Sequence, residues 1–401
     1  MENNEPLPPD LRLDLICTPS DSGIGAKPQI ETIAPAEDSC VENRVTTLDL
    51  QVGLGLFSLV DSNQSGEILK RIASVRQQVR QDLGFTIPMI IVGYNNILHD
   101  MEYQILLKEQ LVGRGELQNQ RLFALDPGDI THPIPGHAGV EPVHGMAGVW
   151  INIGDGHAAI LRGYTVVNHA TIIVTHLATI IDDHAAELID HTAVCDRLIS
   201  IAPRHQRLFE DAFASGRLTT SIVTIVLQNL LREHVSVEDL PKILESLAAH
   251  APNAKSIETF TMHVRTALGR SIVSRYLHNH ALHVIELDVA TETYLVERLR
   301  VDADGQGRLT LDDDFVKSLC DRLIGTEGAF TAMGAKPVLL CAATDIRWHL
   351  RNLLCRQLKG WVVLALDEVP VDVPIITLPK RQLVQRERFE GGAGLQTVAR
   401  S

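Results

Sequence analysis

Three histidines, His169, His176 and His184, run through the apolar stretch "GYTVVNHATIIVTHLATIIDDHAAELI" at 163–189, with Asp182, Asp183 and Glu187 near the last of them. Imidazoles and carboxylates in one segment are the raw material of a zinc centre or of general acid–base chemistry. Spacing decides between such a site and a structural helix. The histidines stand seven and eight residues apart, which is two helical turns or ~10–12 Å along the axis. Zinc holds its ligands at ~2.0–2.2 Å, so two ligands on one helix need i, i+3 or i, i+4 spacing. Among these histidines only His184 meets that rule, with Glu187, and neither HExxH nor HxxEH accompanies them. The segment reads as an amphipathic helix with histidines along its rim, and no metal is expected there.

A second candidate lies at 302–313, "DADGQGRLTLDD". Asp302, Asp304, Gln306, the turn glycine Gly307, Thr310 and Asp313 fall at the positions of a calcium-binding EF-hand loop, with helical text on either side. Position five is a neutral Gln, position twelve an Asp rather than the bidentate Glu, and no second copy pairs with it. The competing reading is a polar hairpin whose "LDDD" caps the next helix. A calcium-binding regulatory module is thus the rival function that the residues themselves raise. "VGLGLF" at 52–57 offers two of the three glycines of a dinucleotide fingerprint and reads as lying inside a strand, where that fingerprint does not work. "LQNLLREHVSVEDLPKILESLA" has the cadence of a helix-turn-helix, but Glu238, Asp239 and Glu245 would face phosphates, so it reads as packing. No Ser/His/Asp or Cys/His grouping has local support. Neither catalytic residues nor cofactors are expected, and a hydrolytic enzyme is a distant third reading.

The elements that would carry these residues follow from periodicity. "TTLDLQVGLGLFSLV" from Thr46 predicts a strand, and the helix after it places Ile68, Ile72, Val75, Val79 and Leu83 on one face. "IPMIIVGYN", "EYQILLKEQLVGRGEL" and "RLFALDP" supply further strands, together making a small α/β unit on an open sheet. Residues 126–147 carry four prolines and four glycines, the mark of a functional loop or an inserted piece. From about 192 to 278 every segment is helical, with Ser236 as an N-cap and Asp239 in the first turn behind it. From 281 the strands "ALHVIELD", "PVLLCA", "WVVLAL" and "VPIITL" return with helices between them, a second α/β unit. Residues 17–45 and the tail from 379 lack a hydrophobic period and read as a flexible arm and a loose end.

Composition narrows the partners. Of the 401 residues 45% are hydrophobic and only 4% aromatic, which suits an aliphatic α/β protein with a real core. Lys and Arg number 36 against 50 Asp and Glu, a net charge of −14 that repels nucleic acid and anionic membrane surfaces. The six cysteines, at 17, 40, 195, 320, 341 and 355, include no CxxC pair and read as reduced thiols. The start "MENNEPLPPD" lacks the basic and apolar regions of a signal peptide. The run "TIIVTHLATII" is far short of the ~20 residues that cross a bilayer, so the chain as given is expected to have no membrane span.

In series, the words "LDLQVGLGLFSLVD", "ILKRIASVRQQVRQDLGFTIP", "EYQILLKEQLVGRGEL", "LFALDPG", "GYTVVNHATIIVTHL", "HAAEL", "LQNLLREHVSVEDLPKILESLAAHAP" and "VRTALGRSI" resemble the cytoplasmic half of the FHIPEP family, the FlhA- and SctV-like export-gate proteins of flagellar and virulence-type type III secretion. The likeness runs from about 46 to 375 and is most specific over 163–270. It implies a multi-subdomain α/β protein: an open α/β first subdomain (46–125 and 169–190), an inserted small second subdomain (126–168), an all-helical third (191–278) and an α/β fourth (279–378). A flexible N-terminal arm (1–45) and a polar tail (379–401) flank them. It also implies a role without catalysis. In the family this region forms a homo-oligomeric ring, typically nonameric, beside other export-apparatus components. The ring lies in the cytoplasm at the inner membrane, and secretion substrates or their chaperones dock in a groove between the first two subdomains. The groove residues of flagellar members fall here on Glu141, His144 and Thr175. The family's Asp has become Glu141 and its aromatic residue His144, which weakens an apolar anchor at that spot. The family's transmembrane half has no counterpart in this chain, so the expectation is an excised domain, a split gene product or a relict repurposed as a soluble interaction protein.

Overall fold

The computed structural model describes residues 48–61, 66–128, 130, 132–214, 216–254, 256–302 and 307–378; the arm at 1–45 and the tail at 379–401 lie outside them. Every element below belongs to the unit Arg44–Ser401.

The first sheet has the order β2-β1-β3-β4. It is built from β1 (Leu48–Val52), β2 (Ile90–Tyr94), β3 (Glu102–Leu107) and β4 (Gln110–Glu116), with helices α1 (Phe57–Val60) and α2 (Glu67–Leu83) between the first two strands. β1 and β2 are parallel, as a helical crossover requires, and β1–β3–β4 are antiparallel. In β1 the alternation Leu48, Leu50, Val52 is wholly buried. Along α2, Ile68, Ile72, Val79 and Leu83 are buried and Val75 packs partly against the same core. The β3–β4 turn uses Lys108 and Glu109 at φ 50° and 67°, the left-handed pair of a tight hairpin that sequence usually announces with Asn-Gly.

One expectation fails at the end of β1. The strand stops at Val52, and Leu54–Leu56 form a 3-10 turn that leads into α1. "VGLGLF" therefore does sit between strand and helix. A Cβ at Gly53 would lie 1.9 Å from the His99 carbonyl oxygen, so the close approach this glycine permits is to the chain's own backbone.

The second sheet, order β6-β7-β5-β8, is antiparallel throughout. Its strands are β5 (Arg121–Leu125), β6 (His137–Val140), β7 (Ala147–Asn152) and β8 (Thr165–Val167), with α3 (Gly156–Leu161) before β8. "RLFALDP", read with the first unit, is thus hydrogen-bonded in the second sheet. One face of that sheet carries Ala124, Ile134, Ile151, Ala159 and Tyr164, while Phe123 and Trp150 join the main core. The chain returns to the first sheet through α4 (His169–Asp183) and the short α5 (Ala185–Leu188).

A helical region follows: α6 (His191–Ile201), α7 (Gln206–Phe213), α8 (Thr220–Arg232), α9 (Leu240–His250), α10 (Ile257–Ala267) and α11 (Gly269–Ser274). Asp190, Thr219, Asp239 and Ser256 each accept a backbone N–H of the first turn they cap. The cap of α9 is therefore Asp239 rather than Ser236. Ser236 Oγ instead accepts the Glu238 N–H at 3.3 Å, and Pro241 occupies the first turn, where its missing N–H costs nothing.

The last region has a parallel sheet, β14-β13-β10-β15, with β9 beside β10. Its elements are β9 (Leu277–His278), β10 (Ala281–Glu286), α12 (Val289–Arg298), β11 (Leu299–Val301), β12 (Gly307–Leu309), α13 (Asp313–Met333), β13 (Val338–Cys341), α14 (Thr344–Leu354), β14 (Val362–Ala365) and β15 (Ile375–Thr377). The four strands read from sequence are β10, β13, β14 and β15. They pack a second core, including Leu295, Leu323, Phe330, Leu350 and Trp361.

Helical and last regions are fastened by four buried charges. The Arg265 guanidinium holds both Glu368 carboxylate oxygens, at 2.6 and 2.9 Å, and reaches Glu233 at 3.2 Å. Arg347 holds both oxygens of Glu233, at 2.6 and 3.0 Å, and its Nε lies 3.5 Å from Glu368. All four side chains are at most 8% exposed. Burial alone would raise the Glu233 carboxyl, but Arg265 and Arg347 outweigh it and hold the group down at about 2.

Candidate docking groove

Helix α4 carries Thr175. Asn168 caps it by accepting the Thr171 N–H at 2.9 Å, and its amide donates to Glu67 of α2 at 3.1 Å, fixing where the helix enters. Ile173, Leu177, Ile180, Ile181 and, beyond the helix, Leu188 are buried, as their spacing predicts, while Thr175 is exposed on the opposite side. Each of these side chains contributes roughly 1.5–3 kcal/mol by leaving water.

His176 departs from the rim position expected of it. It stands among the core residues, one turn from Ile172 and Ile180, and shares a 2.9 Å hydrogen bond with the Tyr103 hydroxyl through Nδ1. Burial pushes its pKa down, so the ring is held neutral. Burial first, and the nearby Glu141 charge second, push the Tyr103 hydroxyl up, so it stays protonated. The strand beneath has yielded to this ring: a Cβ at Gly113 of β4 would come within 2.4 Å of Ile180 Cδ1 and 2.9 Å of His176 Nε2. The signal was present in "IIVTHLATII", where His176 takes a position of the apolar repeat, and in "EYQILL", where Tyr103 alternates with Ile105 and Leu107.

Glu141 and His144 lie on the loop joining β6 to β7. Glu141 is 4% exposed. Its carboxylate accepts the N–H groups of Val143 at 3.0 Å and His144 at 2.8 Å. Its own N–H donates to the Met146 carbonyl, and Gly145, at φ 69°, donates back to the Glu141 carbonyl. Glu141 is thus a positioning residue: it spends its charge folding the loop and presents little of itself to solvent. His144, half exposed, is what the loop displays, with Nδ1 3.7 Å from the Glu141 carboxylate. Val143 packs on the main core and ties the loop down. Beyond burial, the charge of Glu141 acts to raise the His176 pKa and that of His144 to lower it. Of the three residues named from sequence, Glu141 is buried in its own loop, while His144 and Thr175 are exposed.

The remaining candidates fall out differently. His184 Nδ1 bonds Glu187 at 2.8 Å, and among the described residues no group of three or more His, Cys, Asp or Glu is arranged to hold a metal. In the 302–313 loop, Leu299–Val301 pairs antiparallel with Gly307–Leu309, so Gly307 stands in a strand rather than at the turn of a calcium loop. Asp304 and Gln306 lie outside the described residues. Asp312 precedes α13 as its cap residue, and Asp313 and Asp314 fill its first turn, where the helix dipole favours them. Cys195, Cys320, Cys341 and Cys355 form no disulfide with one another; Cys17 and Cys40 are outside the described residues. No described helix is long and apolar enough to cross a membrane.

An exposed His144 on the 141–146 loop, an exposed Thr175 on α4, a capped helical region and a parallel-sheet unit clamped by buried charges belong to a multi-subdomain α/β protein. The chain belongs to the FHIPEP family, whose model matches residues 21–374. It is 36% identical over 318 residues to the flagellar biosynthesis protein FlhA of Escherichia coli, covering 78% of this chain and 44% of that protein. With FlhA of Yersinia enterocolitica it shares 35% over 323 residues, 80% of this chain and 46% of the relative. The chain therefore spans just under half the length of these curated relatives. Among solved structures, the fold is that of the Chlamydia pneumoniae CdsV protein, with TM-score 0.72, 21% identity, and coverage of 86% of this chain and 100% of that one. The nonameric EPEC SctV-C superimposes with TM-score 0.65 at 21% identity, over 83% and 97%.

Proposed function

We propose that this chain works as a ring-forming cytoplasmic component of a type III export gate, docking secretion substrates or chaperone–substrate complexes in the groove between its two sheets, without catalysis of its own. The observation that supports the reading is the use of Glu141: a buried carboxylate folds the 141–146 loop so that His144 is displayed at the surface, as Thr175 is on α4. A surface so shaped recognises a partner by fit and a few polar contacts. The ring is supported by the nonameric SctV-C fold neighbour, and contact with further apparatus components by the neighbour solved as a CdsV and CdsO complex. Replacement of the family's aromatic residue by His144 trades apolar contact for a hydrogen-bonding ring.

Calorimetric titration of the full chain with a purified type III secretion chaperone bound to its substrate tests the reading. The wild type is expected to bind, and Thr175→Trp, which fills the groove from an exposed position, to lose at least about tenfold in affinity, the order expected of one interface anchor. Equal affinity for both proteins would remove the groove from the account. Sedimentation at rising concentration tests assembly, with species larger than the monomer expected.

A further inference from the structure

The two edges of the first sheet are built differently. β4 is covered by α4, bulges where its register with β3 shifts between Ile105 and Leu106, and carries Arg114 and Glu116. β2, "IIVGY", has none of the features that blunt an edge: no charge, no proline within it and no bulge.

Its free main-chain groups can be assigned. The Asn95 N–H donates to the Val52 carbonyl, so in the parallel ladder Ile91 and Gly93 also turn their N–H and C=O groups toward β1. Ile90, Val92 and Tyr94 turn theirs outward, and among the described residues nothing bonds them. On one face, Ile90 and Val92 sit half-buried at the margin of the main core, and Tyr94 meets Phe57 edge-on at 5.6 Å. On the other face a Cβ added at Gly93 would meet nothing. Met89 before the strand and Ile97 after it are 75% and 87% exposed.

We propose that β2 is a strand-addition site: an extended segment of a partner polypeptide, apolar at alternate positions, pairs with the outward groups of Ile90, Val92 and Tyr94 and extends the core over Ile90, Val92 and Phe57. Main-chain chemistry points to the occupant, because three outward donors and three outward acceptors in strand geometry match those of another extended chain. A second copy is the poorer fit. Two β2 edges pairing with each other close a twofold dimer, whereas a ring repeats one head-to-tail contact. The site is separate from the groove, since β2 and the α4-covered β4 are opposite edges of one sheet.

Amide exchange on the full chain, with and without an acetylated and amidated eight-residue peptide alternating valine and threonine, tests this. In the free chain the Val92 and Tyr94 amides are expected to exchange at least about 100-fold faster than those of Ile91 and Gly93, and saturating peptide to slow them at least about tenfold. The same peptide N-methylated at alternate residues is expected to give no protection, a control that leaves the protein untouched. Val92→Pro removes an outward donor that the β1 ladder does not use, and is expected to abolish binding while the Ile91 and Gly93 amides stay protected. Outward amides as protected as inward ones in the free chain, no slowing at millimolar peptide, or equal binding of the N-methylated peptide would each overturn the proposal.

Discussion

Two carboxylates, Glu141 and Glu368, are buried in this molecule by opposite means. Glu141 meets its charge with backbone N–H groups two and three residues away, so its effect stays within one loop. Glu368 is met by Arg265 from 103 residues away, and Glu233 by Arg347 from 114 residues away, so these pairs decide how two regions sit together. Local satisfaction shapes a surface loop that can present His144; distant satisfaction makes a clamp with no give. The first suits a binding surface and the second a frame.

Breaking the clamp has the largest expected effect. Arg347→Ala leaves Glu233 with half its partners inside the protein, and removal of one partner of a buried pair typically costs ~3–5 kcal/mol, read as a lower midpoint in denaturant unfolding. Replacing the clamp residues together with well-packed apolar ones is expected to recover much of that loss, which separates a charge left unpaired from a hole left empty.

Acid attacks the same place. Glu233 is held at about 2 in the folded chain against roughly 4.3 in an unfolded one, so the unfolded state binds the proton first. Its contribution is fully present above pH ~4.3 and is lost as pH falls toward 2. Melting temperature is expected to fall progressively across that window, and Glu233→Gln to flatten the fall.

The loop is the milder case. Glu141→Ala strands the Val143 and His144 N–H groups and is expected to cost ~1–3 kcal/mol, with amide exchange quickened in 141–146 and little changed around Arg265. The exposed pair comes last: His144→Ala and Thr175→Ala are each expected to shift stability by under ~0.5 kcal/mol, so any loss of partner binding belongs to the surface itself.

How far the sequence could be read follows the same division. Period-3.6 and period-2 patterns located α2, α4, β1 and the four strands of the last sheet, because those signals are local and strong. Glu141, His144 and Thr175 were reached through resemblance, since nothing in "VEPVHGM" announces a carboxylate turned inward onto its own loop. His176 reads as a rim residue because a histidine counts as polar, although its position in the apolar repeat is the better guide. The clamp was beyond reach: Glu233 in "LREHV" and Arg265 in "VRTAL" each look like surface charges until chain folding brings them within 3.2 Å. Membership of β5 in the second sheet was hidden for the same reason, since pairing with β7 and β8 is decided by residues that follow it.

The claim that the 141–146 loop and α4 form one docking surface is tested most directly by amide exchange on the full chain, alone and saturated with a type III chaperone–substrate complex. The account predicts slowed exchange confined to 141–146 and to the Thr175 turn of α4, with the Glu233–Arg265 region unchanged. Protection elsewhere, with both of those segments exchanging as in the free chain, would contradict it.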